Sequence, residues 1–219
     1  VATEEYFALV SAFRIIKGDK QQVRQIKYGV TADDLKKFAD GFGFSLTDGQ
    51  KKAVNEIYSD MRSPTVMNRL LQGDVGCGKT AVAMCALFVA LASGKQAVMV
   101  APTEVLARQN YLIAKNYFKN KNVALLVGSM SVSEKNAVKK GLKSGEIDMV
   151  VGTHALFQKD VEFKTLALCV CDEQHRFGVA QRSTLLGKGV SPDLLVMSAT
   201  PIPRTLSLIF YGDLDVTTI

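Results

Sequence analysis

A glycine-rich segment in the first half of the sequence has the residue types that bind phosphate. Residues 73–80 match the pattern GxxxxGK[ST], and they are Gly73, Asp74, Val75, Gly76, Cys77, Gly78, Lys79 and Thr80. Glycines let the backbone turn tightly and bring its amides close to an anion. Lys79 would neutralise the β and γ phosphates of a nucleotide, and the Thr80 hydroxyl would ligate Mg²⁺. The segment therefore predicts a site for ATP and Mg²⁺ rather than a chance glycine-rich turn.

Two adjacent acidic residues follow an apolar run later in the chain. Residues 167–171 are apolar, and Asp172, Glu173, Gln174 and His175 come directly after them. Asp172 would hold Mg²⁺ through water, and Glu173 would polarise an attacking water as a general base. His175 would report the nucleotide state to neighbouring segments, although a lone histidine is more often structural. Downstream of a phosphate loop, the acidic pair indicates nucleotide hydrolysis; alone, it would be an ordinary solvated strand end.

Alternating apolar and amphipathic segments supply the elements that must position these residues. Short apolar runs predict strands buried on both faces of a parallel sheet, at 69–72, 97–101, 123–127, 149–152, 167–171 and 194–198. Helical patterns between them cover 79–92, 104–119 and 133–143. This alternation predicts a doubly wound α/β fold, in which ligands bind at the carboxyl ends of the strands. Both chemical segments follow predicted strands, as such a site requires.

The first part of the chain has a different pattern. Residues 3–16 have apolar side chains at helical spacing, and Thr31 predicts the N-cap of a second helix that ends near Gly41. Residues 1–43 are too few for a sizeable core of their own. We expect them to form a short helical arm packed on the main domain, or the tail of a preceding domain. The α/β domain is then expected over 44–219.

Further segments resemble superfamily 2 helicases of the DExH type, in order and approximate spacing. Residues 101–107 look like the family's motif Ia, 151–154 match motif Ib, and 198–200 match motif III. Gln50 stands where these helicases read adenine with a glutamine. The resemblance implies the RecA-like sheet of a P-loop NTPase, with helices on both faces, and the activity of an ATP-dependent motor on nucleic acid.

Longer strings within 44–219 resemble one branch of the superfamily, the bacterial helicases that act on branched DNA such as stalled forks and Holliday junctions. These strings are residues 73–80, 152–158, 172–179 and 199–205. Translocases that couple transcription to repair share most of them but have Glu where this chain has Gln174, so they remain an alternative. A nucleotide-dependent binding module without translocation is another alternative. A P-loop kinase would leave the helicase segments unexplained.

The resemblance also assigns residues to the DNA and to its coupling with ATP. Family members track one DNA strand with residues that follow strands, here Thr103, Arg108, Thr153 and His154. Such contacts to phosphate do not depend on base sequence. Thr103 and Thr153 would serve equally as helix caps. The coupling residues would be Ser198, Thr200 and Arg204. By contrast, the lysines of the predicted helix 133–143 form a solvated face: Lys135, Lys139, Lys140 and Lys143.

Superfamily 2 motors bind ATP between two lobes of this kind. The second lobe supplies arginine fingers, which contribute roughly 10³–10⁵ in rate. The present sequence stops just past motif III. We therefore expect the second lobe and a DNA-binding wedge domain to belong to a longer parent chain. We also expect residues 1–219 alone to bind nucleotide weakly and to hydrolyse it poorly.

Composition and charge agree with these expectations. The net charge is +6 with a pI near 9.1, and residues 50–219 hold twenty basic and fourteen acidic side chains. This excess permits a polyanionic partner such as DNA. The sequence shows neither a secretory leader nor an apolar run near the ~20 residues of a membrane span. Its cysteines lack metal-site spacing, so we expect free thiols in a reducing cytoplasm: Cys77, Cys85, Cys169 and Cys171.

Overall fold

The computed structural model describes residues 23–172, 179–199 and 214–219, and the structural statements below concern those residues. The helices are α1 (Ala32–Asp40), α2 (Asp48–Arg62), α3 (Lys79–Ala92), α4 (Glu104–Tyr117), α5 (Val132–Ser144) and α6 (Val179–Leu186). The strands are β1 (Asn68–Gln72), β2 (Gln96–Val100), β3 (Val123–Leu126), β4 (Met149–Gly152), β5 (Leu166–Cys171), β6 (Asp193–Ser198) and β7 (Asp215–Thr218). A 3₁₀ helix, His154–Phe157, follows β4.

The strands form one sheet in the order β3-β4-β2-β5-β6-β1-β7, and every neighbouring pair is parallel. Their carboxyl ends therefore meet at one edge, where ligands of such sheets bind. β6 lies between β1, which leads into residues 73–80, and β5, which leads to Asp172. The predicted RecA-like α/β fold is confirmed.

Apolar side chains cover both faces of the sheet. Successive residues of a strand point to opposite faces, so Leu70 and Leu71 belong to two different cores. The core that contains Leu71 is filled by α1, α2, α3 and α4, and the core that contains Leu70 lies under α5, α6 and the 3₁₀ helix. Strands buried on both faces explain the continuous apolar runs of the sequence.

The predicted strands, and the predicted helices that lie within the described residues, are confirmed, with bounds that differ by at most two residues. Four described elements were missed: α2, α6, β7 and the 3₁₀ helix. The signals for α2 are present, because Thr47 and Gln50 have capping-box spacing and its buried residues include Ala53, Ile57 and Met61. β7 is short and half exposed, and among the described strands it pairs with β1 alone. Such an edge strand lacks the continuous apolar run from which the other strands were predicted.

The segment before α2 contributes to the core. Val30, Leu35 and Phe42 are buried in the same core as the sheet, and Phe38 of α1 stacks on Phe88 of α3 with ring centroids 4.3 Å apart. Thr31 caps α1 as predicted. The predicted helix at 3–16 lies outside the described residues. Among the described helices, none combines the length and apolar composition that crossing a membrane requires.

Candidate functional site

The phosphate loop connects β1 to α3 at the carboxyl edge of the sheet. The Gly73 amide donates to the carbonyl of Ser198 at 3.2 Å, which ties the start of the loop to the end of β6. Gly76 and Gly78 have φ angles of 81° and 87°, in the left-handed region that favours glycine. The Cys77 amide donates back to the Asp74 carbonyl at 3.2 Å, which closes the turn. The predicted loop therefore has the strand–turn–helix context that its motif requires.

Two of the glycines are required by close approach as well. A Cβ on Gly73 would lie 2.6 Å from the Cys77 sulfur, and one on Gly78 would lie 2.2 Å from the Gln50 side-chain nitrogen. Real Cβ atoms do not come so close to neighbours, so either substitution would displace the loop or its contacts.

Helix α3 presents its first turn to this loop. Gly78 is its N-cap and makes no side-chain cap hydrogen bond, while the helix behind it is almost entirely buried. The first amides of a helix have no partner within the helix, and they point partial positive charge outward. An anion held by the loop would satisfy them. This arrangement fits the phosphate groups of a nucleotide.

The Lys79 amine lies across the phosphate loop. It donates to the carbonyl oxygens of Gly73 at 2.7 Å and Asp74 at 2.8 Å. These neutral acceptors hold the ammonium where the loop is concave. A phosphate would be a stronger acceptor, because its full negative charge attracts the ammonium, whereas a carbonyl oxygen offers only a partial charge.

Gln50, which was predicted to contact adenine, contacts the phosphate loop. Its amide nitrogen donates to the Cys77 carbonyl at 2.8 Å, and its amide oxygen accepts from the Thr47 amide at 2.9 Å. The side chain is largely buried. Each end of the amide thus makes one hydrogen bond within the protein, which leaves a second N–H and a second oxygen lone pair for another partner.

Asp172 lies where the sequence predicted it, immediately beyond β5. Its backbone amide donates to the Val100 carbonyl at 2.8 Å, which extends the pairing of β5 with β2. One carboxylate oxygen accepts from the side-chain amide of Asn110 at 3.3 Å. Asn110 is buried on α4 and was not singled out in the sequence, because one asparagine inside a helical pattern carries no signal. The predicted residues Glu173 and His175 lie outside the described residues.

Ser198 lies between the two nucleotide segments. It ends β6, is buried, and accepts the Gly73 amide through its carbonyl. The residue predicted to couple the two sites is thus bonded directly to the phosphate loop. Thr200 and Arg204, the other predicted coupling residues, lie outside the described residues.

The residues predicted to contact DNA lie at the same edge, beyond β2 and β4. Thr103 caps α4, and its hydroxyl accepts from the Leu106 amide at 3.3 Å. Thr153 precedes the 3₁₀ helix without capping it through its side chain, so the cap alternative is wrong for Thr153. Its buried hydroxyl has no hydrogen-bond partner within the described structure. His154 begins the 3₁₀ helix.

A serine beyond β3 joins this group, and sequence reasoning missed it. Ser129 donates to Glu104 from its amide at 3.0 Å and from its hydroxyl at 2.5 Å. Arg108 donates to the Ser129 hydroxyl at 3.1 Å. Hydrogen bonds from Ser129 hold the pKa of the Glu104 carboxyl below its usual value. The position of Ser129 just beyond a predicted strand was the signal that could have found it.

The lysines of α5 are mostly held by nearby acceptors. Lys139 pairs with Asp160 at 2.6 Å and Lys143 with Glu162 at 2.8 Å. Lys135 turns toward the carboxyl edge, where its amine donates to the Gly128 carbonyl at 2.6 Å. These ion pairs agree with a solvated helix face.

The cysteines are free thiols, and all but Cys77 are buried. Burial raises the pKa of the Cys85 thiol to about 12. A thiol protonated at neutral pH is a poor nucleophile and a poor metal ligand.

A comparison of the sequence with models of known protein families shows which family has this site. The family model of the DEAD/DEAH box helicases matches residues 47–209. The chain belongs to the DEAD/DEAH box helicase family. The match begins at the N-cap of α2 and includes the phosphate loop, Asp172 and all the predicted DNA-facing residues.

Individual helicases of this family are similar over nearly the whole chain. The ATP-dependent DNA helicase RecG of Thermotoga maritima is 49% identical over 221 residues, which cover 100% of this chain and 28% of that protein. RecG of Bacillus subtilis is 47% identical over 212 residues, which cover 96% of this chain and 31% of that protein. The chain thus spans less than a third of the length of these relatives. The predicted resemblance to bacterial branched-DNA helicases is confirmed as a likeness to RecG.

Solved structures of helicases are also similar to this chain. A structure of RecG bound to a three-way DNA junction superposes with a TM-score of 0.83 and 47% identity, over 98% of this chain and 29% of that one. A hypothetical ATP-dependent RNA helicase from Sulfolobus tokodaii superposes with a TM-score of 0.63 and 19% identity, over 86% of this chain and 57% of that one. The second likeness shows the helicase fold alone.

Proposed function

We propose that this chain is the ATP-binding first motor lobe of an ATP-dependent DNA helicase that acts on branched DNA in recombination and repair. The observation that carries the proposal is the likeness to RecG over the whole chain, including the structure of RecG bound to a three-way DNA junction. The phosphate loop supplies the chemistry that such a motor needs. With DNA as substrate in a bacterium, the protein would work in the cytoplasm.

ATP and Mg²⁺ would bind at the phosphate loop. Among the described residues, no group of three His, Cys, Asp or Glu side chains could hold a metal. Mg²⁺ that binds with a nucleotide needs only one or two protein ligands, since phosphate oxygens and water supply the rest. Thr80 and Asp172 would be those ligands, and Lys79 would neutralise the phosphates. Glu173 would be the general base and His175 would sense the nucleotide.

DNA would run across the ends of β2, β3 and β4. Thr103, Arg108, Thr153 and His154 would contact its phosphates, and Ser129 would join them. These residues lie beside the nucleotide residues along one edge of the sheet, which would bring a DNA strand and ATP onto the same lobe. The second lobe and a wedge domain, both expected in the longer parent chain, would complete the ATP site and recognise the junction.

The test is ATP hydrolysis by the complete protein, measured with and without a forked DNA. We expect strong stimulation by the fork, and we expect Lys79→Ala to abolish it because the phosphates lose their neutralising charge. Lys119→Ala removes an exposed lysine in the turn that follows α4 and serves as the matched control. Retention of stimulated hydrolysis in Lys79→Ala would contradict the proposed site.

The same measurement separates the alternatives. An active ATPase that ignores forked DNA would favour a nucleotide-dependent binding module. Stimulation that requires RNA polymerase would favour a translocase that couples transcription to repair.

A further inference from the structure

Helix α4 has two functional sides. Its exposed side carries Arg108, which was predicted to face DNA and which contacts Ser129. Its buried side carries Asn110, only 5% exposed, whose amide nitrogen lies 3.3 Å from a carboxylate oxygen of Asp172. One short helical segment therefore touches the predicted DNA path on one side and the predicted Mg²⁺ ligand on the other.

Packing does not explain an asparagine at this position. The neighbours of Asn110 on the buried side of α4 are Ala107 and Ala114, both fully buried. Alanine is the best helix former, whereas asparagine has a low helix propensity. Burial of an amide also costs free energy unless it is hydrogen-bonded. The contact with Asp172 provides that hydrogen bond, and the carboxylate makes it a charge-assisted one.

Backbone contacts connect α4 and Asp172 to the same strand. Asp172 donates its amide to the carbonyl of Val100, the last residue of β2. Thr103, the N-cap of α4, is three residues beyond Val100. The Asn110 amide adds a side-chain link to this backbone link. A small shift or rotation of α4 would move the Asn110 nitrogen, and it would change how the carboxylate is held.

We propose that Asn110 is a positioning residue that orients the Asp172 carboxylate and couples its orientation to DNA bound along α4. This proposal rests on the proposed function of the lobe. Asn110 occupies one carboxylate oxygen of Asp172 and so sets the direction of the other. DNA held by the exposed side of α4 would fix the helix, and therefore the carboxylate, in one arrangement.

The test replaces Asn110 in the complete protein with leucine, which has the same branching at Cγ and the same number of side-chain heavy atoms but no donor. The Mg²⁺ dependence of binding of a fluorescent ATP analogue reports on Asp172 without any turnover. We expect the half-saturating Mg²⁺ concentration to rise about tenfold, the size expected for loss of a hydrogen bond to a charged group. We expect fork stimulation of hydrolysis to fall by a similar factor, with affinity for forked DNA unchanged within about twofold.

Two further variants keep the test sharp. Asn116→Leu alters an exposed asparagine on the same helix and should match the wild type in every measurement. Asn110→Ser is smaller and cannot reach Asp172, so it should reproduce the Asn110→Leu effects if the leucine variant does not fold. A variant that only unfolds at lower temperature, with normal Mg²⁺ dependence and normal fork stimulation, would overturn the coupling role.

Failure of the underlying function would look different. If the wild-type protein and Lys79→Ala bind the nucleotide analogue equally, the phosphate loop is not the nucleotide site, and the proposed function falls first. If the wild type binds nucleotide through Lys79 but Asn110→Leu and Asn110→Ser keep normal Mg²⁺ dependence, only the coupling proposal falls.

Discussion

Three carbonyl oxygens of the phosphate loop accept hydrogen bonds from just two side chains. Lys79 donates to the carbonyls of Gly73 and Asp74, and Gln50 donates to that of Cys77. Nucleotide binding would thus require Lys79 to exchange its partners, whereas Gln50 could keep its contact. Gln50 holds the loop in this structure, whereas its role in reading adenine stays a prediction.

Replacement of Gln50 by glutamate tests that distinction. The change puts a carboxylate oxygen where the amide nitrogen now donates, so the Cys77 carbonyl would face an oxygen instead of a donor. We expect affinity for ATP to fall by roughly ten-fold or more, in line with a lost buried hydrogen bond. Equilibrium binding of fluorescent ATP and GTP analogues measures it. Gln109→Glu, on the exposed side of α4, is the matched control.

The comparison of nucleotides decides the role. If Gln50 holds the loop, ATP and GTP binding weaken by the same factor. If Gln50 reads adenine, ATP binding weakens while GTP binding does not, and the preference for ATP disappears.

The N-termini of the helices differ in side-chain capping, and this difference singles out the helix at the candidate site. Thr31, Thr47 and Ser131 each cap a helix within a complete capping box, and Thr103 caps α4. Their hydroxyls satisfy amides that a helix otherwise leaves without partners. Among the described α-helices with an assigned N-cap, only α3 begins without a side-chain cap, at Gly78. The helix that keeps its amides available is the one that follows the phosphate loop.

The cap of α5 gives a stability prediction with a defined pH dependence. Ser131→Ala should cost about 1 kcal/mol of unfolding free energy at neutral pH, since it removes the cap acceptor. The hydrogen bond from the Ser131 hydroxyl holds the pKa of Glu134 below its usual 4.5. A lowered pKa in the folded state stabilises the fold above pH 4.5, and this contribution is lost as the pH falls through the lowered pKa.

Urea unfolding at several pH values checks this prediction. The difference between wild type and Ser131→Ala should begin to shrink below pH 4.5 and should be smallest once the pH has fallen through the lowered pKa of Glu134. Ser133→Ala, on the exposed surface of the same helix, should match the wild type throughout. A difference that stays constant down to pH 3 would show that Glu134 takes no part in the cap.

The chain before α2 is fastened to the amino-terminal end of the sheet, opposite the candidate site. Arg24 donates to the Asp193 carboxylate at 2.5 Å and to the carbonyls of Asp60 and Ser63 at 2.8 and 2.9 Å. Tyr28 donates to the same carboxylate at 2.6 Å. Burial raises the pKa of the Asp193 carboxyl, and the hydrogen bonds from Arg24 and Tyr28 oppose that rise. Residues 23–30 therefore join β6 to the end of α2.

Loss of this buried ion pair should destabilise the whole lobe. Arg24→Ala leaves a fully buried carboxylate without its positive partner, and such a change costs about 3–5 kcal/mol. Arg62→Ala removes an exposed arginine beside the same segment and should cost less than about 1 kcal/mol. Denaturant unfolding of the two variants measures the contrast. Equal stability of both would show that residues 23–30 are not part of the cooperative unit.

Chemical motifs and hydrophobic periodicity could be recognised from the sequence without knowledge of the fold. The phosphate loop, the acidic pair and the strands could be predicted because each depends on residue types within a short stretch, such as glycines at 73, 76 and 78 or an apolar run before Asp172. The cap at Thr31 belongs to the same class. Each is fixed by sterics and hydrogen bonds between residues only a few positions apart.

Contacts between distant residues depended on the assembled sheet. Asn110 meets Asp172 because β2 and β5 are neighbours, and Gln50 meets Cys77 because α2 and α3 pack together. Arg24 and Asp193 are 169 positions apart. The sequence alone thus specified which groups could do chemistry and on which elements they lie. Only the tertiary structure decided which of these groups touch, because strand order is set by packing across the whole sheet rather than by any local pattern.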